Sequence, residues 1–104
     1  MRLFVGESDR VGQRPLHVVL LELLRARGLA GATVVKGVAG FGANSVIHTS
    51  SILRLSEDLP LVIEVVDTEQ HLEAVLPEID RLMKGGLVTM ETVRVRRYTP
   101  DEKP

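Results

Sequence analysis

Apolar and polar positions along this chain of 104 residues follow two periods, one of two residues and one near 3.6. The period of two marks strands, and the longer period marks amphipathic helices. The period of two predicts strands over residues 2–6, 32–39, 61–66 and 87–97. Helices are predicted from Pro15, suited to a first turn, to Gly28, and from Asp67 or Thr68 to Gly85-Gly86.

Local signals refine the second helix and the last strand. If Asp67 is the N-cap, Gln70 completes a capping box. Pro77 lies inside the apolar pattern and should kink or break the helix, because it removes one backbone hydrogen bond. The apolar phase slips between Met90 and Val93, which predicts a β-bulge.

The order β-α-β-β-α-β predicts an α+β, ferredoxin-like fold, in which two helices cover one face of a four-stranded antiparallel sheet. Residues 1–98 form one domain, and residues 99–104 form a polar C-terminal tail. The strands carry apolar residues on both faces, but helices can cover only one of them. We therefore expect the second face to pack against another copy of the chain.

The composition excludes several functions. A formal net charge of −1 argues against a broad nucleic-acid-binding surface, and the absence of cysteine excludes disulfides and thiolate chemistry. No stretch approaches the roughly 20 apolar residues of a membrane span. The apolar run at the N-terminus is too short for a signal peptide. A cytoplasmic protein without direct membrane insertion is the expectation.

The segment from Val35 to Gly42 is the first candidate site. Lys36 precedes three glycines, Gly37, Gly40 and Gly42, before a long polar stretch. Glycine permits positive φ and close backbone approach, so the cluster can present N–H groups to an anion. The alternative is a glycine-rich turn that only starts a hairpin.

Two further segments could hold a phosphate group. The first is the turn Lys84-Gly85-Gly86. The second contains Arg94 and Arg96, which share one face of the predicted last strand. Adjacent guanidinium groups repel each other unless an anion neutralises them, and Arg suits phosphate geometry. The alternative is an edge strand protected by charge.

The sequence has no spaced catalytic set. His17, His48 and His71 have no partners at metal-ligand spacing, and no nucleophile motif is present. His48 lies among serines and threonines in the long loop, where it could contact a ligand. We therefore expect no catalytic residues, no metal site and no enzymatic activity.

Over about residues 2–97 the chain resembles the PII-like superfamily of trimeric signalling proteins, and is most similar to its domain-of-unknown-function branch. The residues that carry the resemblance are Gly37, Gly40-Phe41-Gly42, His48, Leu55-Ser56, Asp58-Leu59-Pro60, Glu64 and Asp67. Two registers match the PII motif, through Lys36-Gly37 or through Gly40-Phe41-Gly42. Leu87 departs from the lysine that PII proteins have after their second glycine loop.

The resemblance implies a homotrimer that binds an adenine nucleotide (ATP, ADP or AMP) in clefts between subunits. A long mobile loop, residues 41–59, would then regulate a partner protein such as a membrane transporter or channel. It implies ligand contacts at Lys36, Gly37, Gly40, Phe41, Gly42, His48, Lys84, Gly85, Gly86, Arg94 and Arg96.

Two other functions stay open. One is a structural or interaction trimer without a ligand, and the other is an enzyme that acts on a phosphate-containing substrate. An RNA-recognition module shares the strand order, but the chain has only Phe4, Phe41 and Tyr98 to stack on bases.

Overall fold

The alternation of apolar residues in the strands becomes an alternation of burial. The structure, a computed structural model, describes residues 1–41, 48–49 and 58–100, with residues 48–49 described for their backbone only. Its strands are β1 (Arg2–Gly6), β2 (Arg10–Val11), β3 (Arg14–Pro15), β4 (Thr33–Lys36), β5 (Ala39–Gly40), β6 (His48–Thr49), β7 (Pro60–Glu64) and β8 (Leu87–Thr89). Its helices are α1 (Leu16–Ala26) and α2 (Glu69–Leu82).

Four of the strands form the main sheet, in the order β4-β7-β1-β8, with antiparallel pairing throughout. Two short strand pairs, β2 with β3 and β5 with β6, lie outside it. The ferredoxin-like α+β prediction is therefore confirmed. β1 and β7 are the central strands, so β4 and β8 are the two edges of this sheet.

The core lies between the two helices and one face of the sheet. Buried residues recur at helical spacing in α1 and α2 and at every second position in β1 and β7. They include Leu3, Val5, Leu16, Leu20, Leu24, Leu61, Ile63, Leu72, Val75 and Ile79. Full burial of such a side chain contributes about 1.5–3 kcal/mol to stability, so this layer accounts for the fold without aromatic residues.

The start of α2 differs from the capping-box prediction. Thr68 is the N-cap, and its hydroxyl accepts a hydrogen bond from the backbone N–H of His71 at 3.2 Å. Asp67 instead accepts from the backbone N–H groups of Ala30 (2.9 Å) and Thr68 (2.7 Å), which ties the α1–β4 connection to the helix start. Pro77 was predicted to kink or break the helix. The predicted break is wrong, because α2 runs without interruption through Pro77.

Three strand predictions need correction. The predicted strand 32–39 is β4 followed by β5, because the chain leaves the sheet at Gly37. The strand 61–66 is β7, residues 60–64, and the strand 87–97 ends at Thr89. Thr89 pairs with Arg2, the first residue of β1, and beyond Thr89 no described residue continues the pairing. The bulge between Met90 and Val93 is therefore wrong as well.

The second face of the sheet carries an apolar row across all four strands. Strand register aligns Val35, Val62, Phe4 and Leu87 across this row. Val35 is 49% exposed and Leu87 is 54% exposed, because no helix lies over them. The prediction that the strands are apolar on both faces is confirmed by this row.

Candidate functional site

The predicted glycine segments lie at one end of the sheet, which we call the glycine end. It comprises residues 36–40, 58–60, 6–9 and 84–86, contributed by the four neighbouring strands in their order across the sheet. Residues 36–40 follow the edge strand β4, and residues 84–86 precede the other edge strand, β8. At about 4.8 Å between neighbours, the two edges are about 14 Å apart.

Pro60 explains why glycines occupy positions 37 and 40. A Cβ atom at Gly37 would lie 2.7 Å from Cγ of Pro60, and one at Gly40 would lie 3.1 Å from the same atom. The N–H of Gly37 donates to the carbonyl oxygen of Pro60 at 2.7 Å. Positive φ is not the reason for either glycine, because within the described residues only Gly12, Gly28 and Gly86 have it. The two glycines therefore allow close packing against Pro60. The N–H of Gly37 is hydrogen-bonded within the fold and is not available to an anion.

Lys36 lies beside this packed pair and keeps its charge in contact with solvent. Its Nζ atom is 2.8 Å from Oε2 of Glu7, and both side chains are partly exposed, at 52% and 38%. Such a pair contributes at most about 1 kcal/mol, so an incoming anion can compete for the lysine. Nothing in the local sequence pattern predicts Glu7, since it is 29 positions away from Lys36 in the printed sequence.

Asp58 holds the loop that follows β1. Its Oδ1 atom accepts from the backbone N–H of Ser8 at 2.7 Å, and the N–H of Glu7 donates to the carbonyl oxygen of Leu59 at 2.9 Å. A Cβ atom at Gly6 would lie 2.6 Å from the Asp58 carboxylate. Residues 58–60 therefore have a structural role at the glycine end that the motif alone did not predict.

Among the candidate glycines that the structure describes, the one whose backbone is in the left-handed region lies in the turn between α2 and β8. Gly86 has φ +78°, and a Cβ atom there would collide with the carbonyl oxygen of Phe4. Gly85 has open space around its Cα, and Lys84 is exposed. A shallow cleft lined by Asp80, Met83, Lys84 and the two glycines adjoins the turn.

Arg94 and Arg96 lie away from the other candidates. β8 runs from the glycine end towards the opposite end of the sheet, and both arginines follow its last residue. Both are exposed, and among the described residues neither has a carboxylate within ion-pair distance. The guanidinium of Arg96 lies 5.8 Å from the ring centroid of Tyr98. One chain alone therefore does not bring the arginines to the glycine end.

The remaining predicted contacts are described only in part. Phe41 is 72% exposed. The backbone of His48 pairs with Gly40 in the β5–β6 pair, and its side chain lies outside the described residues. Gly42 also lies outside them, as does most of the predicted loop 41–59.

The opposite end of the sheet has an acidic character. A cleft of about 470 Å³ there is lined by five carboxylate residues, Glu64, Asp67, Glu69, Glu73 and Glu91. Arg2 lies among them, with Nε 2.7 Å from Glu64 and Nη1 2.6 Å from Glu91. The excess of negative charge makes this cleft a poor site for a phosphate.

Asp67 is the most strongly perturbed carboxylate of this end. The backbone N–H groups of Ala30 and Thr68 and the His71 ring lower its pKa to about 2. Its side chain is 8% exposed, and Nδ1 of His71 lies 2.7 Å from Oδ1. These bonds all lie within the fold and join α2 to the α1–β4 connection, so they explain Asp67 as a structural residue.

Two features are absent from the part of the chain that the structure describes. No group of three or more His, Asp or Glu side chains there is arranged to hold a metal ion. Neither α1 nor α2 is long and apolar enough to cross a membrane.

Comparison with known proteins gives a family that covers nearly the whole chain. Residues 1–95 match the model of DUF190, described as uncharacterized ACR. A UPF0166 protein of Aquifex aeolicus is 36% identical over 95 residues, covering 91% of this chain and 90% of the relative. A UPF0166 protein of Methanocaldococcus jannaschii is 32% identical over 96 residues, covering 91% and 88%.

The fold and these matches agree with the resemblance found in the sequence. This chain belongs to the DUF190 family, a domain-of-unknown-function branch of the PII-like superfamily.

Proposed function

We propose that this chain forms a homotrimer that binds a phosphate-containing effector in clefts between its subunits. The effector is an adenine nucleotide, ATP, ADP or AMP, and its binding regulates a partner protein such as a membrane transporter or channel. Membership of the PII-like superfamily supports this proposal. PII-like families are generally non-enzymatic, so the proposal assigns no catalytic residue and no covalent step.

The observation that carries the proposal is the position of Lys36 and Lys84. Both lie at the glycine end, but they belong to opposite edges of the same sheet. About 14 Å of sheet separates the backbones of these edges within one chain, so each edge can also present its lysine to the facing edge of a second copy. Two copies placed edge to edge would bring Lys36 of one chain close to Lys84 of its neighbour.

The exposed apolar row supports association of the subunits. Val35 and Leu87 lie at its two ends, and Phe4 and Val62 lie between them, half-buried. An apolar row that crosses an entire sheet is unusual on a surface in contact with water. Burial of this row against other copies would remove apolar area from water and leave the glycine ends at the subunit boundaries.

The regulatory step follows from where the loop is attached. The predicted loop 41–59 begins next to Gly40 and ends next to Pro60, so both of its attachments lie at the glycine end. A phosphate that binds there contacts the base of the loop, and differential binding to two loop conformations would shift their populations. The partner then responds to the loop rather than to the effector directly.

Isothermal titration calorimetry with ATP, ADP, AMP, cyclic nucleotides and bicarbonate tests the proposed ligand class. The proposal expects saturable heat with an adenine nucleotide, and Lys36→Ala should weaken that binding. Lys103→Ala, a change in the C-terminal tail, is the matched control for loss of one positive charge. Light scattering on the same samples gives the oligomeric state, so assembly and ligand binding are tested separately.

One observation favours the second candidate, a trimer without a ligand. The packing of Pro60 against Gly37 and Gly40 explains both glycines without an anion. Under this alternative, light scattering gives a trimer and calorimetry gives no heat with any compound of the panel.

A further inference from the structure

The three carboxylates of the glycine end differ in the groups that they contact. Asp9 and Asp58 each accept a hydrogen bond from a backbone N–H group of the segment that follows β1, at 2.8 Å and 2.7 Å. The carboxylate of Glu7 instead lies 2.8 Å from the ammonium group of Lys36. Two of the carboxylates therefore bond to the backbone of the fold, and the third lies on a candidate ligand contact.

The backbone of Glu7 is held in place, although its side chain is free to move. The N–H of Glu7 donates to the carbonyl oxygen of Leu59 at 2.9 Å, and the N–H of the next residue, Ser8, donates to Asp58. The side chain of Glu7 is 38% exposed and has three rotatable bonds. An anion that takes Lys36 can therefore push the carboxylate aside, but it cannot move Glu7 away from the glycine end.

We propose that Glu7 is a tethered competitor of the effector, which holds Lys36 in the free protein and yields it to a phosphate. This inference rests on the proposed function, in which Lys36 contacts the phosphate of the effector. The ammonium group of a lysine has three N–H donors, but two anions beside one cation repel each other. The carboxylate and the phosphate therefore occupy Lys36 in alternation, and the tether returns the carboxylate when the phosphate leaves.

The strength of the ion pair limits how much Glu7 can weaken effector binding. An exposed pair of this kind favours the paired state by about 1.4-fold to fivefold. Lys36 is then unpaired in at least about one sixth of the molecules, and the apparent dissociation constant of an anion rises by the inverse of that fraction. Removal of the competitor should therefore tighten binding by about two- to sixfold.

A competitor with one negative charge also selects among anions. A monoanion such as bicarbonate gains no more from Lys36 than the Glu7 carboxylate already gives. A phosphate group with two or more negative charges gains more from the same cation at the same distance. Glu7 therefore makes the site selective for multiply charged phosphates, which is the effector class that the proposal specifies.

Titration calorimetry of Glu7→Gln tests the competition, since this change keeps the shape of the side chain and removes its charge. ATP and pyrophosphate are titrated separately, because pyrophosphate carries the charge without a nucleoside. Each should bind about two- to sixfold more tightly than it binds the wild type. In a chain that already carries Lys36→Ala, the further change Glu7→Gln should alter affinity by less than about twofold, because the contested cation is gone.

Glu22→Gln is the matched control for the loss of a negative charge and of a surface ion pair. Glu22 lies on α1, where its carboxylate is 2.7 Å from the guanidinium group of Arg14. This variant should bind both anions as the wild type does. Tighter binding by Glu22→Gln of the size expected for Glu7→Gln would overturn the proposal, because any lost carboxylate would then have the same effect.

The outcomes separate the competition from the proposed function. Equal or weaker binding by Glu7→Gln, with a wild type that binds ATP, overturns the competition and leaves the proposed function standing. A gain that persists in full beside Lys36→Ala also overturns the competition. Pyrophosphate binding that tightens in Glu7→Gln, without binding of ATP, supports the competition and overturns the nucleotide. If neither anion binds to the wild type or to Glu7→Gln, both proposals are overturned.

Discussion

The two ends of the four-stranded sheet differ in their charged side chains and in how closely their backbone packs. At the glycine end, Lys36 and Lys84 are exposed, and Pro60 packs directly on glycine. At the opposite end, five carboxylates line the cleft and surround Arg2. The acidic end therefore disfavours an anion more strongly than the glycine end, where Glu7, Asp9 and Asp58 accompany the two lysines.

The position of Arg94 and Arg96 makes this comparison informative. These arginines leave the sheet at the acidic end, while the lysines that they would assist lie at the glycine end. A single chain thus divides its candidate phosphate contacts between its two ends. In the proposed trimer, neighbouring copies would unite them, so the proposed ligand site depends on the proposed assembly.

The largest expected effect concerns the backbone of the glycine end. Gly86→Ala should destabilise the fold by roughly 3 kcal/mol or more, because the residue has φ +78° and its Cβ would meet the Phe4 carbonyl. The neighbouring Gly85→Ala is the control, since a Cβ there meets nothing within 4 Å. Urea denaturation of both variants measures the difference, and equal midpoints would show that the turn tolerates a side chain.

The next effect concerns the ligand. Arg94→Ala or Arg96→Ala should weaken nucleotide binding about tenfold to over a hundredfold, the loss of a charge-assisted hydrogen bond of roughly 1.5–3 kcal/mol. The melting temperature without ligand should stay that of the wild type. If both variants bind nucleotide as the wild type does, these arginines have no role in the ligand site.

At the acidic end, Asp67 should govern part of the stability at low pH. Its pKa is lowered from 3.8 to about 2 in the folded state, so its contribution is present above about pH 4 and is lost as the pH falls towards 2. Asp67→Asn should cost about 2 kcal/mol at neutral pH and progressively less in acid.

Unfolding free energies at a series of pH values check this prediction. Asp80→Asn, an exposed change on α2, the helix that follows Asp67, should stay within about 0.5 kcal/mol of the wild type throughout. A constant difference between Asp67→Asn and wild type from pH 7 to pH 2 would contradict the assigned role.

A smaller effect is expected at Gly37. Gly37→Ala places a Cβ atom 2.7 Å from the Pro60 ring, which should cost about 1–2 kcal/mol as the ring shifts. Gly31→Ala has open space and serves as the control. Titration calorimetry on the same variant measures its affinity for nucleotide. An unchanged affinity is expected if Gly37 serves only packing, and a weaker one if Gly37 also contacts the ligand.

The fold was predictable where local periodicity and a neighbouring element agreed. The apolar stripes of α1 and α2 and the burial of alternate residues in β1 and β7 are local properties of the sequence. The extent of the last strand was not predictable in this way. Residues 92–97 have strand character, but whether they form hydrogen bonds depends on a neighbour that their own sequence does not specify.

The candidate site shows the same limit. The glycine spacing correctly drew attention to residues 37–40, but the reason for it, the ring of Pro60, lies about 20 positions further along the chain. Two other contacts also join residues that are distant in sequence: the ion pair of Lys36 with Glu7, and the hydrogen bond from the N–H of Ser8 to Asp58. Long-range pairs of this kind follow from strand register, and one sequence does not reveal register before the sheet is known.

The measurement that tests the central claim most directly is the mass of the protein in solution. Light scattering at micromolar concentration should give three times the chain mass of 11.4 kDa for the wild type. A wild-type mass of 11.4 kDa would contradict the account.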